Sequence, residues 1–478
     1  MQVSGMPASG RLTHGSGRNL FERAHGNVVR MTHLARKLRT IDYFTIGFGT
    51  MVGVGWLVVM DDWLQRGGPI GAILGFSIGG LLLLPIGYVY ARLVIAMPDS
   101  ASEIAYTSRV FPESISFATG WLMMLAYVIV CPWEAVAVGR IAAYLFPQLN
   151  RIELYRILGQ PVFLPHLLIG LALTAVITYL NYRGIQFSAA FQNWTTFGLL
   201  ILFVLFASCG VLRGSAANFR PGFSHSRIVS ILLVVQIVPY FMTGFESVAK
   251  CSEEARPGFQ SSGFFKSILI AILVGTAFYT AVTAIVSYVY PWRGLTAQSF
   301  ATAYAFRRTF GSEWIVNVIL ATALLSLLKV YNGNFLASSR LLFALGRRRM
   351  IDSRAGYIHP GFQTPAVAVL AIGVLTAVLV FLGTAILIPI TEVGSMASAC
   401  GWLAACASYL LLERNSLQRL VALAGATVAV GLIAMKVLPF VPGHFTGYEW
   451  VTLAAWGVLG VVLHRRTTST EKAVTTGS

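Results

Sequence analysis

The chain reads as an all-α polytopic membrane protein of twelve transmembrane helices, and two observations carry that reading. Of its 478 residues, 56% are hydrophobic and 11% charged, with a mean hydropathy of +0.72. A soluble domain carries about 25% charged residues. The apolar residues also fall into runs near the roughly 20 residues that span a hydrocarbon core. These runs lie at about 41–65, 70–96, 116–146, 162–181, 187–212, 228–249, 263–290, 314–345, 366–384, 386–411, 418–439 and 446–464.

Before the first run, residues 1–40 are polar, glycine-rich and basic, and are expected to form a largely disordered tail. The apolar run begins only near Ile41, too far in for a cleaved signal peptide. With twelve crossings both ends share one side. That side collects Arg11, Arg18, Arg23, Arg30, Arg36, Lys37 and Arg39, then Arg256 and Lys266, Arg347, Arg348, Arg349 and Arg354, and finally Arg465, Arg466 and Lys472 in the tail at 465–478. The positive-inside rule makes this side, and both termini, cytoplasmic. The net charge of +17 is therefore read as topology signals and contacts with anionic lipids, not as a nucleic-acid site. Cys131, Cys209, Cys251, Cys400 and Cys406 lie in or beside apolar runs without metal-ligand spacing. No catalytic dyad, metal motif or nucleotide loop appears, so no enzyme activity and no cofactor is expected.

Two stretches inside apolar runs break the pattern: GFGTMVGVGW (Gly47 to Trp56) and PYFMTGFESV (Pro239 to Val248). Glycine in a helix interior costs roughly 1 kcal/mol relative to alanine, and a carboxylate at bilayer depth at least about 2.5 kcal/mol. Non-helical backbone persists at that depth only where protein buries it or a watery cavity solvates it. One interruption in each half of a chain is the pattern of a secondary transporter that binds its substrate near the midplane. At the first break Gly47, Gly49, Gly53 and Gly55 free backbone amides that suit an anion; Gly49 and Gly53 equally have the spacing of a close helix contact.

Four stretches in order resemble the amino acid–polyamine–organocation permease superfamily with its LeuT-type fold. They are GTMVGVGW, the segment YARLVIAMPDSASEIAYTSRVFPESISFATGW (Tyr90 to Trp121), FMTGFESVAKCSEEARP (Phe241 to Pro257) and NFLASSRLLFALGRRRMI (Asn334 to Ile351). The resemblance spans residues 41 to about 412. It implies a five-plus-five inverted repeat, about 41–212 and 228–412, with two further helices in 413–464. Two departures fall on the cytoplasmic side: Arg92 where relatives commonly have an acid, and Ala101-Ser102-Glu103 where they have a glycine pair.

The same resemblance implies a site. Thr50, Met51, Gly53, Val54 and Gly55 match the family's substrate segment, with the carboxylate held at Val54 and Gly55. Tyr240, Phe241, Thr243, Gly244 and Phe245 match the second segment, where the Tyr240 and Thr243 carbonyls would take an ammonium and Tyr240 or Phe241 would close over it. Glu246 is the matching proton-coupling candidate, and Glu253 and Glu254 are expected to be solvated or paired with Arg256. Lys329 stands inside the eighth apolar run, where a lysine is expensive unless paired. Its expected role is a tethered cation that braces this helix against the first break; contact with an acidic substrate group and snorkelling are the alternatives. Asn332 and Asn334 are weaker candidates for a polar lining, as is Glu134, which either meets a cationic substrate or, as the favoured expectation, pairs with Arg140.

The expected function is transport of an α-amino acid or close derivative across the plasma membrane by alternating access, coupled to protons or by exchange and independent of sodium. A polyamine or amino-alcohol carrier and a transport-incompetent amino-acid receptor are the alternatives.

Overall fold

The computed structural model describes residues 33–298, 300–383 and 387–476. The first apolar run forms α1 (Thr40–Met51) and the short α2 (Gly55–Val58), then enters α3 (Met60–Leu82). At Gly68 the backbone turns to φ +63° ahead of Pro69, so the chain kinks inside α3 where sequence placed the gap between the first two runs. α4 (Leu84–Ala96) and α5 (Glu103–Thr107) lead to α6 (Glu113–Val128) and α7 (Val130–Leu145). A hairpin of β1 (Glu153–Ile157) and β2 (Gln160–Phe163) precedes α8 (Leu164–Arg183) and α9 (Ile185–Arg213). This hairpin was not anticipated. Its two-residue turn, Leu158-Gly159, has positive φ at both positions, as a tight antiparallel turn requires.

The sixth run is divided into α10 (Arg227–Val235), α11 (Val238–Met242) and α12 (Ser247–Lys250). α13 (Ser262–Val289), α14 (Ala301–Phe310), α15 (Glu313–Arg347) and α16 (Ala366–Val380) follow, then α17 (Leu387–Leu412), α18 (Ser416–Val437) and α19 (Gly447–Thr476). Among the described residues nine helical stretches are long and apolar enough to cross a membrane. The divided sixth run, the 15-residue α16 and α19, which continues through a polar stretch to Thr476, fall outside that set. The chain is an all-α polytopic membrane protein.

α1 and the middle of α15 form the centre: α1 is buried at every position from Thr45 to Met51, and α15 from Lys329 to Leu341. Outer helices present apolar side chains outward, among them Leu168, Ile201, Val204, Leu417 and Leu420, as lipid-facing surfaces do. The tail expected at 1–40 lies outside the described residues as far as Thr32. From Leu34 onward the chain is docked. Leu34 packs with Phe343 and Ala368, and the Lys37 and Leu38 amides donate to the Glu254 carbonyl at 2.8 and 2.9 Å. A parallel bridge between Leu38 and Ala255 continues this contact.

Candidate functional site

The two broken helices cross each other at their breaks. Gly244, at φ +140°, lies so close to the first break that a Cβ there would stand 2.7 Å from Met51 N and Thr50 C. Only glycine combines that dihedral with that approach. The glycines of the first break divide between the two expected uses. Gly47 packs on Val248 and Ala271, and Gly49 on Gln192, as close helix contacts. Gly53 and Gly55 sit at the interruption itself.

Leaving the helix strands backbone groups on both sides of each break. At the first break every carbonyl so released finds a side chain. Gly49 O accepts from Lys329 Nζ at 3.4 Å, Thr50 O from Asn334 Nδ2 at 3.2 Å and Met51 O from the Tyr279 hydroxyl at 3.0 Å. Val52 O accepts from Lys329 Nζ and, at 3.0 Å, from Ser326 Oγ, which also donates to Gly53 O at 2.7 Å. The Gly53 amide donates to Tyr279 Oη at 3.3 Å, but among the described residues the amides of Val54 and Gly55 donate to nothing. The first break therefore presents donors in excess.

The second break does the opposite. A continuing helix would send Gly244 N to Tyr240 O and Ser247 N to Thr243 O. Instead Gly244 N donates to Glu246 Oε2 at 3.1 Å and Ser247 N to Gly244 O at 2.9 Å. The Tyr240 and Thr243 carbonyls are thus released by their helical donors, and this break presents acceptors.

Between the breaks lies a cavity of about 20 Å³, lined from the breaks by Thr50, Met51, Gly53, Gly55, Tyr240, Phe241 and Thr243. Asn334 and Val330 of α15, Tyr279 of α13, and Val130, Trp133 and Glu134 of α7 complete it. Of the two aromatic candidates, Phe241 lies across the first break: a Cβ on Gly55 would meet its ring at 2.5 Å. Trp63, Phe76 and Tyr279 pack around that ring. Three polar atoms at the cavity are buried without a partner: Glu134 Oε2, Trp133 Nε1 and Tyr240 Oη.

Several expectations are corrected here. Glu134 does not pair with Arg140, whose guanidinium lies over the Phe300 ring. Six residues along a helix turn the side chains about 240° apart, so the two leave on different faces. Asn332 does not line the cavity. It faces α8 and α9, taking a hydrogen bond from Asn181 Nδ2 at 3.0 Å and donating to Gln192 Oε1 at 2.9 Å. Phe245 also points elsewhere, against Tyr90 and Trp402, because the positive φ of Gly244 redirects the chain. Val54 and Gly244 shape the break with their backbone and do not line the cavity. Glu254 is neither solvated nor joined to Arg256: it is fully buried, with Oε1 2.7 Å from Arg340 Nη2. Glu253 pairs with Arg347.

Lys329 is fully buried, and besides its two carbonyl contacts its ammonium lies 5.2 Å from the Phe48 ring centroid. It neither snorkels nor enters the cavity lining. Glu246 is also fully buried, beside Lys250. Sequence reasoning missed Tyr279, which satisfies both faces of the first break, since a tyrosine in an apolar run carries no periodic signal. It also missed Lys250, although Lys250 stands four residues after Glu246, the spacing at which helical side chains meet.

A family profile described as amino acid permease matches residues 38–463. The chain belongs to that family. It is similar over 447 residues, at 24% identity, to the branched-chain amino acid permease BcaP of Bacillus subtilis, covering 90% of this chain and 92% of that one. It is 27% identical over 345 residues to the methylthioribose transporter of the same organism (70% and 72% covered) and 26% identical over 336 residues to its gamma-aminobutyric acid permease (67% and 67%). Family and relatives alike are permeases and transporters rather than enzymes.

Proposed function

We propose that this chain is a secondary active transporter of an α-amino acid, working by alternating access through the cavity between the two breaks. The observation that carries the reading is the complementarity of the breaks. The Gly55 amide at the cavity, with the unpaired Val54 amide behind it, offers donors to a carboxylate, and the Tyr240 and Thr243 carbonyls offer acceptors to an ammonium. Thr50, Met51, Gly53 and Asn334 line the space between, and Phe241 is the lid. The present cavity has room for about one water, so entry requires Phe241 to swing off Gly55. The paired breaks support a twelve-helix, five-plus-five inverted arrangement with two added helices. The basic flanks support cytoplasmic termini in a plasma membrane with anionic lipid. Lys329, whose ammonium rests on the Gly49 and Val52 carbonyls, fills the role of a bound cation; protons, handled by Glu246, drive transport in place of sodium.

Glu134 favours a second reading. An unpartnered carboxyl in the cavity wall suits a substrate with an additional cationic group, and so a cationic amino acid or an amine. The test is uptake of radiolabelled neutral amino acids, cationic amino acids and diamines into proteoliposomes, with proton or sodium gradients, for wild type and Glu134→Gln. Concentrative uptake of amino acids that follows the proton gradient is the expected result. Uptake of diamines alone, or dependence on sodium, overturns the first reading. Loss of only the cationic substrates in Glu134→Gln would establish the second.

A further inference from the structure

One turn beyond the second break, at a place the cavity does not touch, the Lys250 ammonium meets the Glu103 carboxylate and the backbone carbonyl of Glu246, whose own carboxyl is buried one turn away. Lys250 is fully buried and donates to Glu103 Oε1 at 2.6 Å, and the Tyr90 hydroxyl donates to the same oxygen at 2.7 Å. Lys250 also donates to the Glu246 carbonyl at 3.4 Å, and its ammonium stands 5.0 Å from the Tyr127 ring centroid and 5.7 Å from that of Tyr90. Glu103 and Glu246 are both fully buried, and Glu103 Oε2 and Glu246 Oε1 have no hydrogen-bond partner.

The charges do not balance. Two buried carboxyls share the neighbourhood of one ammonium: Glu103 pairs with Lys250, and Glu246 instead accepts from the Gly244 amide. The titratable groups around them are Tyr90 from α4, Tyr106 from α5, Tyr127 from α6 and Cys251 after α12. None of these brings a cation. The next pair outward, Glu254 and Arg340, is balanced within itself. A buried charge left without compensation is expensive, and a carboxylate so placed takes a proton instead.

We propose that Glu103, Lys250 and Glu246 form a single proton-holding unit, in which one exchangeable proton is shared by two carboxylates around a fixed ammonium. This deepens the proton-coupled reading above, on which its role in transport rests. The geometry also supplies the coupling. Lys250 ends α12 and Glu246 immediately precedes it at the break, so the two move as one segment, whereas Glu103 belongs to α5. With the elements together, the unit carries one excess negative charge and retains a proton. When α12 moves away, it takes a balanced Glu246–Lys250 pair with it. The shared proton then has no second carboxyl to hold it and passes to water.

The proton is its own probe, so the test needs no substrate. Infrared spectra of the full chain in lipid nanodiscs at neutral pH report the C=O stretch of protonated carboxyls. All spectra are taken in a Glu134→Gln background, so that the cavity carboxyl does not contribute. The expected result is a protonated-carboxyl band that disappears in Glu103→Gln and equally in Glu246→Gln, since removing either acid balances Lys250. In Lys250→Met the band roughly doubles, because two buried carboxyls lose their cation. A band that survives Glu103→Gln overturns the shared unit and leaves Glu246 as an independent site; absence of any band in the parent also overturns it. Should Lys250→Met not fold, the two isosteric glutamine variants decide the matter. If the band behaves as expected while uptake ignores the proton gradient, the transport reading fails and the unit stands.

Discussion

Replacing Lys329 with methionine keeps the side-chain stem and deletes the ammonium that joins α15 to the first break. Val52 O retains Ser326 Oγ at 3.0 Å, but Gly49 O is left without a donor, since the Gly53 amide is turned to Tyr279. A hydrogen bond from a charged donor contributes about 1.5–3 kcal/mol, and an orphaned buried carbonyl costs a further 1–3 kcal/mol or so. Against this, deleting a fully buried ammonium recovers a desolvation cost of several kcal/mol. Global stability is therefore expected to change little, whereas the contact between α15 and the break weakens by one charged bond. At about 1.4 kcal/mol per decade, that is roughly a ten- to hundredfold loss of the state in which the two touch. Proteoliposome uptake of Lys329→Met should fall by that factor while the thermal midpoint in detergent holds. Lys329→Ala, which frees space at the same carbonyls, should regain part of its uptake in sodium. Undiminished sodium-free uptake by Lys329→Met would refute the bracing role.

Three further outcomes are expected. Gly244→Ala places a methyl 2.7 Å from backbone atoms that cannot swing aside, at φ +140°; strain and overlap of about 1–3 kcal/mol each should lower the thermal midpoint and the yield of monodisperse protein. Glu254→Gln strands Arg340 in a fully buried site, a loss of roughly 3–5 kcal/mol, and Glu254→Gln with Arg340→Met should recover most of it in the same melting assay; an equally unstable double variant would contradict the pairing. At Glu253, burial acts to raise the carboxyl, but Arg347 outweighs it and holds the group below its ordinary 4.5. An acid depressed by folding stabilises fully above its unfolded pKa and loses that contribution as pH falls through its folded one. Hydrogen-exchange protection factors at residues 252–255, which remove the intrinsic slowing of exchange in acid, should therefore be high at neutral pH and fall only below the ordinary carboxylate range.

How far the sequence foretold the molecule depends on whether the signal is local. Helix positions follow from apolar length, so the limits of α9, α13 and α15 fall within a few residues of the expected runs. The breaks were legible because glycine clusters and a lone acid contradict their apolar surroundings. Partnerships were not. Glu103 meets Lys250 across 147 residues and Glu254 meets Arg340 across 86, and nothing in either neighbourhood names the other. Asn332 was misassigned for the same reason: helical phase puts it one turn from Lys329, but α8 and α9 carry the amides that claim it.

The two breaks differ in kind. At the first, five successive carbonyls from Gly49 to Gly53 are all taken by side chains of α13 and α15, which leaves amides as its unpaired groups. At the second, Glu246 captures the Gly244 amide, and the carbonyls before it lose their helical donor. A zwitterion that bridges the breaks matches both ends at once. A diamine would leave the Val54 and Gly55 amides unmatched in a dry site, at a cost of about 1–3 kcal/mol each. Glu134 can add affinity for a second cationic group, but it cannot remove that penalty. On the proposed reading, it is the backbone that selects for an α-amino acid, and Glu134 adjusts which one.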